Sequence, residues 1–167
     1  MKWRKLAYFP LILFAYAVCF AVDGAAQDSS RPTRVGDWRL EYIQSSESAD
    51  LRAVGGRDFH LIYTCLSRGE AILGLAFWGP DITGDGPNDT RQFTFIAGQK
   101  KETFQLSTPR GGVYHFRSQD RRAAMNLISS VKELSVKFIG LSGEQNVDFQ
   151  TERAGEAFAA VGSRCPG

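Results

Sequence analysis

Few side chains in this sequence have the chemistry of a reaction centre. Beyond the N-terminal apolar stretch there are two histidines, His60 and His115, and two cysteines, Cys65 and Cys165. Neither histidine stands in a Gly-x-Ser-x-Gly or comparable nucleophile setting. Both fall in alternating apolar segments that read as strands. His115 with Asp120 could supply a base and its orienting carboxylate to some serine, which is the small-hydrolase reading of the chain. Two cysteines and two histidines at no recognisable ligand spacing make a poor zinc site. No catalytic residue, metal or cofactor is therefore expected. In an exported chain two cysteines most simply form one disulfide, here Cys65–Cys165. It would close a loop of roughly 100 residues, worth about 4–5 kcal/mol as an upper figure in the chain-entropy model.

A second pattern carries oxygen ligands. Asp81, Thr83, Asp85, Gly86 and Asp89 follow the spacing of an EF-hand loop, but Gln92 stands where the bidentate glutamate belongs. Both flanks read as strands rather than helices, so calcium is not expected. Gly79–Arg91 is instead a long acidic loop punctuated by glycine and proline. Trp78 precedes it and is the aromatic expected to be partly exposed. Beyond a second turn, Thr108–Gly112, stands Tyr114. Trp78, Asp81, Asp85, Asp89, Arg110 and Tyr114 form the candidate partner-binding set.

The elements that must position these residues begin after a leader. Lys2, Arg4 and Lys5 precede an uncharged apolar run, Leu6–Val22, and Gly24-Ala25-Ala26 offers the small residues of a cleavage site. Residues 1–26 thus read as a secretory signal peptide, and export to a periplasm or the exterior is expected, with no stable membrane insertion after cleavage. The chain has 20 Lys+Arg and 18 Asp+Glu; the leader holds Lys2, Arg4, Lys5 and Asp23, leaving 17 of each sign beyond it. A neutral domain offers no electrostatic case for nucleic acid. Residues 27–34 read as a flexible N-terminus and 35–167 as one domain.

Within that domain, Asp37–Gln44 alternates as a strand and Ser45–Arg57 reads as a polar loop. Asp58–Ser67 and Ala71–Trp78 form an apolar hairpin, the second strand apolar on both faces and hence central. Gln92–Ala97 and Glu102–Ser107 make another hairpin, and Val113–Arg117 a short strand. Phe93, Phe95, Phe104, Tyr114 and Phe116 alternate and are expected in the core. Ser118 can cap a helix reaching about Ser130, with Arg121 and Arg122 on its solvated side. Strands at Glu133–Ile139 and near Asn146–Gln150 follow, and Thr151 can cap a closing helix, Glu152–Val161, ended by Gly162. The expected class is α+β, mostly antiparallel β: a sandwich-like or half-open barrel sheet of about eight strands, with two short helices, the last tied by the disulfide.

Two family resemblances bear on function. A strand carrying Tyr63-Thr64-Cys65, an apolar strand, a middle hairpin and a closing segment from Ala154-Gly155-Glu156-Ala157-Phe158 to Cys165-Pro166 resemble the VasI-like accessory proteins of type VI secretion. The resemblance implies an envelope accessory or interaction protein with no known chemistry; the expected partner is another envelope or host protein, and no enzymatic activity is expected. Tyr63-x-Cys65, a C-terminal cysteine and Arg110-Gly111-Gly112-Val113-Tyr114 resemble, in turn, the periplasmic inhibitors of C-type lysozyme. That would place Arg110 and Tyr114 on a cleft-blocking loop.

Overall fold

The computed structural model of the chain describes residues 33–43, 46–54, 58–66, 68–77, 89–108, 112–162 and 165. Residues 1–32, on which the signal-peptide expectation falls, and the candidate residues Trp78, Asp81, Asp85 and Arg110 lie outside them. The chain is α+β. Its strands are β1 (Arg34–Val35), β2 (Trp38–Ile43), β3 (Ser46–Arg52), β4 (Phe59–Leu66), β5 (Ala71–Phe77), β6 (Asp89–Ala97), β7 (Lys100–Thr108), β8 (Val113–Phe116), β9 (Glu133–Gly140) and β10 (Gly143–Gln150). Helix α1 (Ser118–Ser129) joins β8 to β9, and α2 (Ala154–Val161) follows β10.

The ten strands among the described residues form one antiparallel, open sheet in the order β1-β2-β3-β4-β5-β8-β7-β6-β9-β10. The side-chain period of two builds it. Leu61, Tyr63 and Cys65 of β4 point inward, while His60, Ile62 and Thr64 alternate with them on the outer face. Central β5 is buried along all of Leu73–Phe77, as its unbroken apolar sequence requires. Strands β6, β7 and β8 follow one another, and β9 returns to lie beside β6, which is a Greek key with α1 in the return connection. Gly98, at φ +61°, supplies the left-handed residue of the β6–β7 turn.

The sheet curls around its own core. Phe59 of β4 meets Phe138 of β9 across the inner face, with ring centroids 6.0 Å apart. The Val54 N–H, just past β3, donates to the Asp148 carbonyl of β10 at 2.8 Å. Helix α2 lies against β1–β4. Its Phe158 stands edge-on to Trp38 at 5.1 Å and to Tyr63 at 5.3 Å. Each such pair adds about 0.5–1.5 kcal/mol beyond the area it buries. Cys65 and Cys165 form the expected disulfide, both sulfurs buried and their Cα atoms 5.7 Å apart. The Tyr63 hydroxyl reaches the Cys165 carbonyl at 3.4 Å. The closing helix is thereby fixed to the inner face of β4.

Several local expectations need correction. Ser46–Arg52 is a strand, not a loop, which helps bring the count to ten rather than about eight. Its inward positions are Glu47, Ala49 and Leu51, and Glu47 is 1 % exposed. A buried carboxylate and a small side chain masked the alternation. Asp89–Arg91 belongs to β6 rather than to the long loop, and Arg34 to β1 rather than to a flexible tail. The residue before α1 is Arg117, without a side-chain cap, rather than Ser118. Helix α2 starts only at Ala154, after Arg153 in the left-handed region at φ 64°. Thr151 does not cap it with its side chain; its hydroxyl donates instead to the Val131 carbonyl at 2.9 Å, pinning the end of β10 to the segment that leads into β9.

Candidate functional site

One end of the sheet gathers the bases of the long β5–β6 connection and of the β7–β8 turn. The Phe77 N–H, at the end of β5, donates to the Gly112 carbonyl at 2.8 Å. Asp89, the first residue of β6, pairs with Thr108, the last of β7. The chain therefore leaves and re-enters the described fold around residues 78–88 and 109–111 at neighbouring points. The β9–β10 hairpin tip projects at the same end, because β6 runs antiparallel to β9 and the Arg91 guanidinium donates to the Ile139 carbonyl at 3.2 Å. Both helices sit toward the opposite end, where the β4–β5 and β6–β7 turns lie.

Asp89, Arg91 and Tyr114 brace this loop end. Arg91 Nε and the Tyr114 hydroxyl each donate to Asp89 Oδ2 at 2.9 Å. The Arg91 guanidinium also lies 6.0 Å from the centre of the Tyr114 ring. The hydrogen bond from Arg91, joined by that from Tyr114, holds the Asp89 carboxyl below the usual carboxylate range, against the desolvation that opposes it. An aspartate so engaged is a structural anion. The Tyr114 ring packs on Phe77 and Phe93 and is only 1 % exposed. Of the candidate partner-binding set, then, Asp89 and Tyr114 are brought together, with Asp89 half-buried and Tyr114 offering nothing but an occupied hydroxyl. Beside them the hairpin tip presents Ile139 and Leu141, 67 % and 60 % exposed. Large apolar side chains held that far out in water mark contact surfaces when they cluster.

The histidines fall elsewhere. His60 Nδ1 lies 2.8 Å from Asp50 Oδ1 on the outer face, a pair that joins β4 to β3. Burial lowers the pKa of His115, with the Glu70 charge opposing. Nucleophilic catalysis at a thiol is excluded for Cys65 and Cys165 by their disulfide. No cluster of three or more His, Cys, Asp or Glu side chains suited to a metal occurs among the described residues.

Sequence reasoning missed the Asp50–His60 pair because it read β3 as a loop. It missed Arg91 because that residue was assigned to the loop beside it. Strict alternation back from Phe95 and Phe93 to Arg91 was the available signal. No protein-family model, no curated protein and no solved structure matches the chain.

Proposed function

We propose that this chain is an exported, non-enzymatic binding protein of the bacterial cell envelope that engages another envelope or host protein. The observation that carries the reading is the convergence at the loop end. The bases of the long β5–β6 connection and of the β7–β8 turn are hydrogen-bonded neighbours, braced by Asp89, Arg91 and Tyr114, beside Ile139 and Leu141 in solvent. Rigid scaffolds that present loops from one end are the common arrangement for recognition. The buried disulfide suits an oxidising compartment, and the leader-like residues 1–26 and the resemblance to VasI-like accessory proteins point the same way. The lysozyme-inhibitor alternative needs an accessible Tyr114 and is the weaker reading, since that ring is buried.

Site-specific photocrosslinking in envelope preparations tests the proposal. A photoreactive residue placed at Ile139 or Leu141 should give a discrete protein adduct. The same group at Gln99, in the β6–β7 turn at the opposite end, should not. Equal adducts from all three positions, or none from any, would overturn the assignment of the contact surface.

A further inference from the structure

The apolar side chains that this molecule holds in water and its apolar hollow lie at opposite ends. Among the described residues only Val54, Ile139 and Leu141 are large hydrophobics left exposed, and two of the three sit at the β9–β10 tip. The tip, Gly140-Leu141-Ser142-Gly143, carries no charge, and Leu141, 60 % exposed, is its one bulky side chain. Gly143 closes the turn in the left-handed region at φ +96°. A narrow turn thus presents a single leucine, with Ile139 behind it.

The hollow is a cleft of about 350 Å³ between α1 and α2, floored by Tyr63 of β4 and by Cys165. Met125 and Ser129 stand on its α1 wall, Phe158 and Ala159 on its α2 wall. No charged side chain lines it among the described residues. Tyr63 and Phe158 are buried, so its depth is ring surface, whereas Ser129 and Ala159 are exposed at its mouth. Small-molecule sites enclose some 70–90 % of their ligand. An open mouth over an apolar floor suits a side chain presented by a protein better.

Two glycines of the α2 wall keep the cleft open. A Cβ on Gly155 would meet the Ser129 side chain at 3.7 Å, and one on Gly162 would meet the Tyr63 hydroxyl at 3.7 Å, both ordinary contact distances. Neither residue has positive φ. Backbone conformation therefore requires glycine at neither position. What the missing side chains leave is space between the two helices.

We propose that the cleft takes the β9–β10 tip of a second copy of this chain, with Leu141 inserted between α1 and α2, so that molecules associate head to tail. Tip and cleft are both uncharged and apolar at their centres, so burial favours their contact and no like charge opposes it there. Asn126 and Ser129, three residues apart on α1, line the cleft and can pair with backbone polar groups of the turn. A molecule cannot fill its own cleft. Helix α1 leads into β9 and α2 follows β10, and eight registered pairs hold the tip about 27 Å from those junctions. The contact therefore joins two unlike surfaces of different copies and extends into a chain unless its rotation closes a ring. One hairpin tip buries far less than the roughly 1,200 Å² of a stable interface, so the association is weak and reversible. The inference goes beyond the proposed function and shares with it only the exposed tip, so either can fail without the other.

The test is sedimentation velocity of the purified protein from about 10 μM to about 1 mM. The average mass of the wild type should rise with concentration. Leu141→Asp removes the inserted side chain and Ala159→Trp fills the cleft. Each changes an exposed residue and should weaken association about tenfold or more, with circular dichroism confirming the fold. Mixing the two variants should restore a complex that stops at the dimer. The intact tip of one then meets the intact cleft of the other, and no further contact can form. If Ala159→Trp does not fold, Asn126→Trp, on the α1 wall, takes its place. A wild type that stays monomeric at about 1 mM, association indifferent to Ala159→Trp, as a tip-to-tip dimer would give, or a mixture without a complex would each overturn the proposal. So would a photoreactive residue at Ala159 that captures another protein in envelope preparations and never a second copy. Self-adducts and heterologous adducts differ in mass, so failure here is read separately from failure of the envelope partner.

Discussion

Two glycine-to-alanine changes should act with opposite signs, and the reason is visible in what each new methyl group would touch. Alanine ordinarily gains stability over glycine by narrowing the unfolded ensemble, by about 0.4–1 kcal/mol. At Gly74, in the middle of β5, a Cβ would stand 2.6 Å from the Tyr114 carbonyl oxygen and 3.5 Å from His115 Cδ2. The first distance is far inside van der Waals contact, and its partner is backbone that no rotamer change can remove. Relief requires β5 and β8 to separate, although β8 has only four residues and pairs with β5 at three positions. Overpacking of this kind costs typically 1–3 kcal/mol. After the entropic gain is subtracted a net cost of about 0.5–2.5 kcal/mol remains, so Gly74→Ala should lower the midpoint of thermal unfolding by roughly 2–8 °C for a domain of this size. Gly155→Ala adds its methyl at ordinary contact distance and should raise the midpoint by about 2 °C. Paired thermal melts followed by circular dichroism give both values. A Gly74→Ala midpoint at or above that of the wild type would refute the close approach of β5 and β8.

Replacing both Cys65 and Cys165 by alanine removes a link across 100 residues, which the chain-entropy model sets at about 4.7 kcal/mol. With a urea slope of about 2 kcal/mol/M the unfolding midpoint should fall by about 2 M, and a fall under about 0.5 M would mean that the reduced chain is held by something else. Asp89→Asn removes the carboxylate that Arg91 and Tyr114 share. Its folded pKa is depressed, so its stabilisation is present above the unfolded value of about 3.9 and is lost as pH falls through the folded one. The side chain is 31 % exposed, and after allowance for solvent screening the difference from wild type should be about 1 kcal/mol at pH 7 and should shrink below about pH 4 in urea titrations. A difference that persists unchanged at about pH 2–3 would rule out the ionic brace.

The parts of this fold that follow from period were legible. Strands β2, β4, β5 and β9 alternate or are uniformly apolar, and Phe93, Phe95, Phe104 and Phe116 lie inward as their spacing requires. The disulfide followed from having only two cysteines beyond the N-terminal apolar stretch. What failed was local chemistry that tertiary context overrides. Glu47 is polar by type and buried by position, and with Ala49 it hid β3. Arg153 holds a left-handed conformation that no propensity suggests, with its guanidinium bound to both carboxylate oxygens of Glu156 in the first turn of α2. The loop-end brace was partly legible: Asp89 and Tyr114 were singled out by type. Their hydrogen bond spans 25 residues across two pairs of strands and leaves no trace in spacing.

The disulfide also sets the path of mechanical force. A load applied between residue 33 and Cys165 passes from β4 directly through the Cys65–Cys165 bond. Everything from β5 to α2 hangs on that bond as a closed ring and carries none of the tension. Only the chain before Cys65 can pay out, about 32 residues or roughly 110 Å at full extension, against about 450 Å for the reduced protein. The Greek key and the loop end would stay folded while β1–β3 peel away. The staple therefore divides the molecule into a strand tether that yields and a head that keeps its shape under load.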